Sequence, residues 1–375
     1  LANLGCARSA PCNDGLRLMS QHTPPRVPNG RVAILLHGWE GSSRSLHVVS
    51  GADRLWREGF RIVRINMRDH GESQHLNRGI FHSCRLDEMV DAVRWVRDRF
   101  TGEPLYLGGY SLGGNFALRI ASAEGPALGL ARVVAICPVL DPEETMAALD
   151  SGSVIYRQYF INKWRRSLER KARAFPDVYD FGALNRFRSL RDMTEFFVTR
   201  YTEFPDLVSY LRGYAITGER LARLSIPASI LLADDDPVIP AGSAARLAHS
   251  PALTVDRSRW GGHCGFLLDY SLRTWSDDYL VRQFLKRELG GGVRAAHRAL
   301  LLLPGRGRGQ RLSLPRRVPH RRVHGAAGAR RPRLRDAAAG LRLQRARGDG
   351  HPDHALARER FVIGDEHSHG GGPLG

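Results

Sequence analysis

The chain has 375 residues, enough for one large domain or two ordinary ones, and its 42% hydrophobic content permits a sizeable core. A formal net charge of +18 suggests a nucleic-acid binder until the charge is located. Residues 291–375 hold 18 Arg, no Lys and 6 acidic residues, a net of +12, which leaves only +6 for the first 290. Five cysteines at irregular spacing (Cys6, Cys12, Cys84, Cys137 and Cys264), with no C-x-x-C, argue against a disulfide framework and a zinc motif. They predict reduced thiols and a cytoplasmic protein. No signal-peptide pattern and no apolar run of membrane-span length occurs.

Residues 1–30 are polar and proline-bearing, with no clear period. Strand and helix signals then alternate. Val32 to Leu36 is a continuous apolar run, the mark of a strand buried on both faces. A helical pattern follows over about 44–58, then a strand over 60–65 and a helix over 86–99, where Leu86, Met89, Val90, Val93 and Val96 recur at helical spacing. A strand over 105–109 leads into a helix over about 112–123, and 132–137 reads as another strand. Alternation stops over 141–224, a segment rich in aromatics and arginines that reads as helices. It resumes with strands at 228–233 and 252–255 and a helix over about 273–288. The pattern predicts an α/β fold, mostly parallel, with helices on both faces. The core would comprise residues 31–140 and 225–290, and 141–224 would be a helical lid inserted at the strand C-termini.

Past residue 290 the composition turns to Arg, Ala, Gly and Pro, with Phe361 as the only aromatic. Such a segment has too little to bury, so 291–375 reads as a disordered tail. The absence of lysine fits a shifted reading frame in GC-rich DNA, and a natural basic arm is the rival explanation.

Chemistry concentrates at Gly109-Tyr110-Ser111-Leu112-Gly113-Gly114. A serine between a strand and a helix, with glycines two residues to either side, suits a nucleophile elbow, whose tight turn pushes the hydroxyl outward. A serine hydroxyl needs a base in reach, and the base needs an orienting acid. Both follow in the chain, each after a strand. Asp234-Asp235-Asp236-Pro237 supplies the acid, with Asp236 the candidate, Asp235 the runner-up and Asp234 a loop cap. Gly261-Gly262-His263-Cys264-Gly265 supplies the base, His263, in a glycine-flanked loop. The oxyanion would be held by the backbone N–H of Leu112 and by that of Trp39, in the turn after the first long strand. Asn66 to Ser73 reads as a structural loop, with Arg68 paired to a carboxylate and His70 a bystander. Cys84 and Cys264 lack elbow geometry and are weak rival nucleophiles.

With these residues placed, the chain resembles the AB-hydrolase 4 family, the YheT-like α/β hydrolases. The resemblance spans about residues 12–290. It rests on His37-Gly38-Trp39-Glu40-Gly41-Ser42, Asn66-Met67-Arg68-Asp69-His70-Gly71, the elbow, Tyr201-Thr202 with Phe204-Pro205, Asp235-Asp236-Pro237, and Gly261-Gly262-His263-Cys264-Gly265-Phe266. It implies the α/β-hydrolase fold and ester hydrolysis by Ser111, with Asp236 as acid and His263 as base. The tail beyond 290 has no counterpart in the family.

The expected activity is serine-dependent cleavage of carboxylic esters, from short acyl esters to lipids, with no cofactor and no metal. The partner is a small-molecule or lipid ester, with peripheral membrane contact compatible and no specific nucleic acid. Acyl transfer on the same triad, and nucleic-acid binding through the basic tail, are the alternatives.

Overall fold

The backbone of Val32–Leu36 lies under side chains on both faces, and none of its five residues has accessible surface. The computed structural model describes residues 15–269 and 273–286, with two further strands at Ala2–Leu4 and Glu359–Ile363. In chain order the strands are β1 (Ala2–Leu4), β2 (Leu18–Thr23), β3 (Val32–Leu36), β4 (Arg61–Ile65) and β5 (Leu105–Tyr110). They continue with β6 (Leu130–Ile136), β7 (Ala228–Ala233), β8 (Leu253–Ser258) and β9 (Glu359–Ile363). The sheet runs β1-β9-β2-β4-β3-β5-β6-β7-β8. From β4 to β8 every pairing is parallel, and β2 lies antiparallel to β4.

Parallel neighbours require crossovers, and helices supply them. The helices α1 (Leu46–Arg57), α2 (Leu86–Arg99), α3 (Leu112–Glu124) and α8 (Trp275–Leu285) cover the sheet, with α1 packed on α8 and α2 on α3. Between β6 and β7 come α4 (Pro142–Ser151), α5 (Val154–Ala174), α6 (Leu190–Tyr201) and α7 (Leu207–Tyr214). The starts of α4, α6 and α7 are written in the sequence. Asp141 accepts from the N–H groups of Glu143 and Glu144, Ser189 from Asp192 and Asp206 from Ser209. Each side chain thus satisfies first-turn donors that have no partner within the helix. These helices pack with the sheet in one compact unit.

The inserted helices are tied to the core by a buried ion pair. The Lys171 ammonium, on α5, lies 2.8 Å from Asp69 Oδ1 in the loop after β4 and donates to the carbonyls of Asn77 and Gly79. Its side chain is 1% exposed and that of Asp69 8%.

One reading is corrected. The polar, period-less segment before residue 30 contains β2, whose polar residues Ser20, Gln21, His22 and Thr23 are buried. The burial of Gln21 is tolerated because its Oε1 accepts from Arg64 Nη2 at 2.7 Å on the neighbouring strand. The disorder read for 291–375 falls mostly outside the described residues. Within it, Glu359–Ile363 forms β9, antiparallel to β2. Its Phe361-Val362-Ile363 is a run of strand-forming residues in a segment otherwise poor in them.

Candidate active site

The elbow is built by steric exclusion. Ser111 stands between β5 and α3 with φ 53° and ψ −120°, backbone geometry that an L-residue rarely adopts. Two glycines permit it. A Cβ on Gly109 would lie 2.2 Å from Gly113 O, and one on Gly113 would lie 2.4 Å from His37 O. Backbone atoms cannot yield to such a clash, so each position admits no side chain. The Ser111 N–H donates to Ile136 O at 2.9 Å, which pins the turn to β6.

The three candidate side chains meet. His263 Nε2 lies 3.1 Å from Ser111 Oγ, and His263 Nδ1 lies 3.0 Å from Asp236 Oδ2 and 3.2 Å from Oδ1. Asp236 Oδ1 also accepts from the N–H groups of Val238 (2.8 Å) and Ile239 (3.0 Å), so the turn after β7 fixes the carboxylate. Asp235 instead accepts from Gly261 and Gly262 N–H, both at 2.8 Å, and so holds the loop that carries His263. Asp234 forms an exposed pair with Arg257. The adjacent aspartates therefore have three separate jobs, and only Asp236 touches the imidazole. Burial resists a charge on the His263 ring, but Cys264 and Asp236 beside it outweigh that penalty and raise its pKa to about 9.

The turn after β3 closes over the serine. A Cβ on Gly38 would come within 3.1 Å of Ser111 Cβ. His37 is fully buried there, and burial holds its pKa well below the ordinary histidine value. The neutral ring accepts from Met67 N–H at Nε2 (3.1 Å), which leaves Nδ1–H to donate to Gly38 O at 2.7 Å. Gly38 O also accepts from Gly41 N–H. The Gly38 carbonyl and the Trp39 N–H share one peptide plane and point opposite ways. Fixing the oxygen therefore fixes the N–H, a role for His37 that sequence reasoning did not find. The Leu112 N–H stands at the first position of α3, where no intrahelical acceptor exists.

A cavity of about 450 Å³ opens above Ser111 and His263. Trp39, Leu149, Phe160, Trp164 and Phe197 give it an apolar lining, so α4, α5 and α6 all contribute. Trp39 stacks on Phe160 at 5.7 Å between ring centroids and meets Trp164 edge-on at 5.3 Å. A second, more polar cavity of about 370 Å³ lies beyond Gly41, Ser45 and Lys163, which line both.

The loop after β4 behaves as scaffold. Arg68 grips Glu88 with contacts of 2.7 to 3.1 Å, and His70 Nδ1 bonds Arg68 O at 2.7 Å. Burial pushes the Cys84 thiol up to about 12, away from the thiolate form that a nucleophile needs. Asn115 on α3 donates to the carbonyls of Val139 and Tyr214, both at 2.8 Å, and so joins the elbow helix to the inserted helices.

Sheet order, elbow and site together define an α/β hydrolase. The sequence pattern of the alpha/beta hydrolase fold family matches residues 32–270, and the chain belongs to that family. Within it, the chain is 26% identical over 266 residues to the putative esterase YheT of Escherichia coli, covering 68% of this chain and 76% of that protein. It is 27% identical to the human protein ABHD15, covering 73% of this chain and 58% of that longer protein. It is 23% identical to a thermostable monoacylglycerol lipase of a Bacillus species, over 60% of this chain and 79% of the lipase. The YheT-like resemblance read from the motifs is thereby borne out. Among the described residues no helix is long and apolar enough to cross a membrane.

Proposed function

We propose that this protein is a serine hydrolase of carboxylic esters that uses groups of the protein alone. The observation that carries the reading is the unbroken relay from Ser111 Oγ through the His263 ring to Asp236, with links of 3.1 and 3.0 Å, on the floor of an apolar cavity. His263 Nε2 takes the Ser111 proton as the oxygen attacks the ester carbonyl. The N–H groups of Trp39 and Leu112 hold the oxyanion, each donor contributing about 3 kcal/mol to the transition state. The tetrahedral intermediate collapses, the C–O bond to the alcohol breaks, and the proton on His263 passes to the departing oxygen. Water, deprotonated by the same ring, then cleaves the acyl-enzyme. Asp236 keeps the proton of the neutral ring on Nδ1 and stabilises the imidazolium.

The aromatic and aliphatic lining suits an apolar acyl chain, in keeping with the esterase and lipase named among the relatives. The inserted helices α4 to α6 serve as the lid that excludes bulk water. The test is turnover of a chain-length series of p-nitrophenyl esters by the parent and by Ser111→Ala. The parent should hydrolyse them, with longer acyl chains lowering KM, and the variant should lose activity while its circular dichroism is unchanged. Retained turnover in a folded Ser111→Ala protein would refute the reading.

A further inference from the structure

Two thiols lie beside His263 that the proposed reaction does not use. Cys137 follows the last residue of β6, and Cys264 follows His263 directly. Each sulfur reaches the other's backbone segment. Cys137 Sγ lies 3.8 Å from Gly262 O, and Cys264 Sγ lies 3.6 Å from Ile136 O. The two sulfurs and a ring nitrogen of His263 lie within 4.8 Å of one another. Both cysteines have positive φ, 43° and 62°, a conformation that is unfavourable for side-chain-bearing residues. Cys137 is fully buried, while Cys264 lines the catalytic cavity and is reached from it.

We propose that Cys137 and Cys264 form an oxidisable dithiol, a modification site that peroxide converts to a disulfide through the catalytic cavity, withdrawing His263 from Ser111. The existence of the site stands apart from the hydrolase reading; its effect on turnover rests on that reading.

The roles of the two sulfurs differ. A hydrogen bond from Cys137, with His263 close by, holds the Cys264 thiol below its ordinary pKa, whereas that same bond and burial push Cys137 up. Cys264, the sulfur that the cavity reaches, is thus the attacking thiolate, and the fully buried Cys137 the resolving thiol. The Cys264 sulfur attacks one oxygen of hydrogen peroxide and the O–O bond breaks. Hydroxide leaves, takes up a proton and becomes water, and the sulfur is left as a sulfenic acid. The Cys137 sulfur then attacks the Cys264 sulfur and the S–O bond breaks. The second hydroxide leaves as water with the Cys137 proton. Two thiols and one peroxide give one disulfide and two waters, with two electrons passing from sulfur to oxygen.

An S–S bond is about 2.05 Å long, so the sulfurs must draw together and the residue next to His263 must move. A ring displaced by an ångström from Ser111 costs roughly 10²-fold in turnover.

The experiment uses the full chain. The reduced protein is treated with hydrogen peroxide, free thiols are alkylated, and the unreduced digest is mapped by mass spectrometry. Turnover of a p-nitrophenyl ester is followed in parallel, before and after dithiothreitol. The expected result is a peptide pair joined through Cys137 and Cys264, with turnover reduced roughly 10²-fold and restored by dithiothreitol. Cys137→Ser and Cys137→Ala should each keep the starting turnover and lose both the link and the reversible phase. Peroxide that oxidises Cys84 but leaves Cys137 and Cys264 unlinked would overturn the site. A link formed with turnover unchanged would overturn the control of His263. An untreated chain with no turnover would count against the hydrolase reading, while a mapped link would still support the modification site.

Discussion

Replacing Asp236 by asparagine changes one atom and should disable the base. The carboxylate has two unlike oxygens. Oδ1 accepts from Val238 and Ile239 N–H at 2.8 and 3.0 Å, while Oδ2, which takes no backbone donor, is the nearer to His263 Nδ1, at 3.0 Å against 3.2 Å for Oδ1. An asparagine must place its carbonyl oxygen at the Oδ1 position, because two N–H donors already point there. Its NH2 then faces His263 Nδ1. Two donors cannot share that contact, so the ring must put its lone pair on Nδ1 and its hydrogen on Nε2. The ring nitrogen facing Ser111 becomes a donor and can no longer accept the hydroxyl proton. The same tautomer trap in a Ser-His-Asp triad lowers kcat by about 10⁴, which is about 5 kcal/mol of transition-state stabilisation. The fold should persist, since both bonds to Oδ1 survive. The assay is steady-state hydrolysis of a p-nitrophenyl ester, with Asp235→Asn measured beside it. Asp235 orients the loop through Gly261 and Gly262 and does not touch the ring, so its variant should lose far less. A loss of less than tenfold in Asp236→Asn, or a larger loss in Asp235→Asn, would refute the reasoning.

Lys171→Met should destabilise the fold, because it strands the buried Asp69 carboxylate. Removing one partner of a buried pair costs about 3–5 kcal/mol, which should lower Tm by on the order of 10 °C; an unchanged melting curve would show that the pair does not anchor the inserted helices. The acid limb of the pH–kcat/KM profile should follow His263, whose pKa is raised to about 9. Only the neutral ring accepts the serine proton, so the rate should climb as pH rises and level off above that value. In Cys264→Ala one of the raising causes is gone and the limb should move to lower pH; a limb that stays in place would remove Cys264 from the account.

The parts legible in the sequence are those where one residue type has one physical use. Val32–Leu36 reads as a strand because a five-residue apolar run bounded by turn signals has few other stable placements. Gly109 and Gly113 betray the elbow because a Cβ at either would strike backbone. Other features depend on partners far along the chain. β2 looked like a polar segment because the group that satisfies Gln21 is Arg64, and hydropathy periods do not register such pairings. Three adjacent aspartates look alike on paper, and only the turn at Val238 and Ile239 aims Asp236 at His263. Lys171 is an ordinary helix residue until Asp69, 102 positions away, faces it. Cys137 and Cys264 carry no spacing signal, since their proximity comes from the ends of two different crossovers. β9 was hidden in a segment whose bulk composition argues against structure, although its three strand-forming residues stand together at 361–363.

The most direct test of the central claim is to label the protein with a fluorophosphonate, which phosphonylates a serine only when a base activates it, and to identify the modified residue by mass spectrometry. Ser111 should carry the label, at a rate that falls sharply when His263 is replaced by alanine. A label on another residue, or unaltered labelling of Ser111 in that variant, would contradict the account.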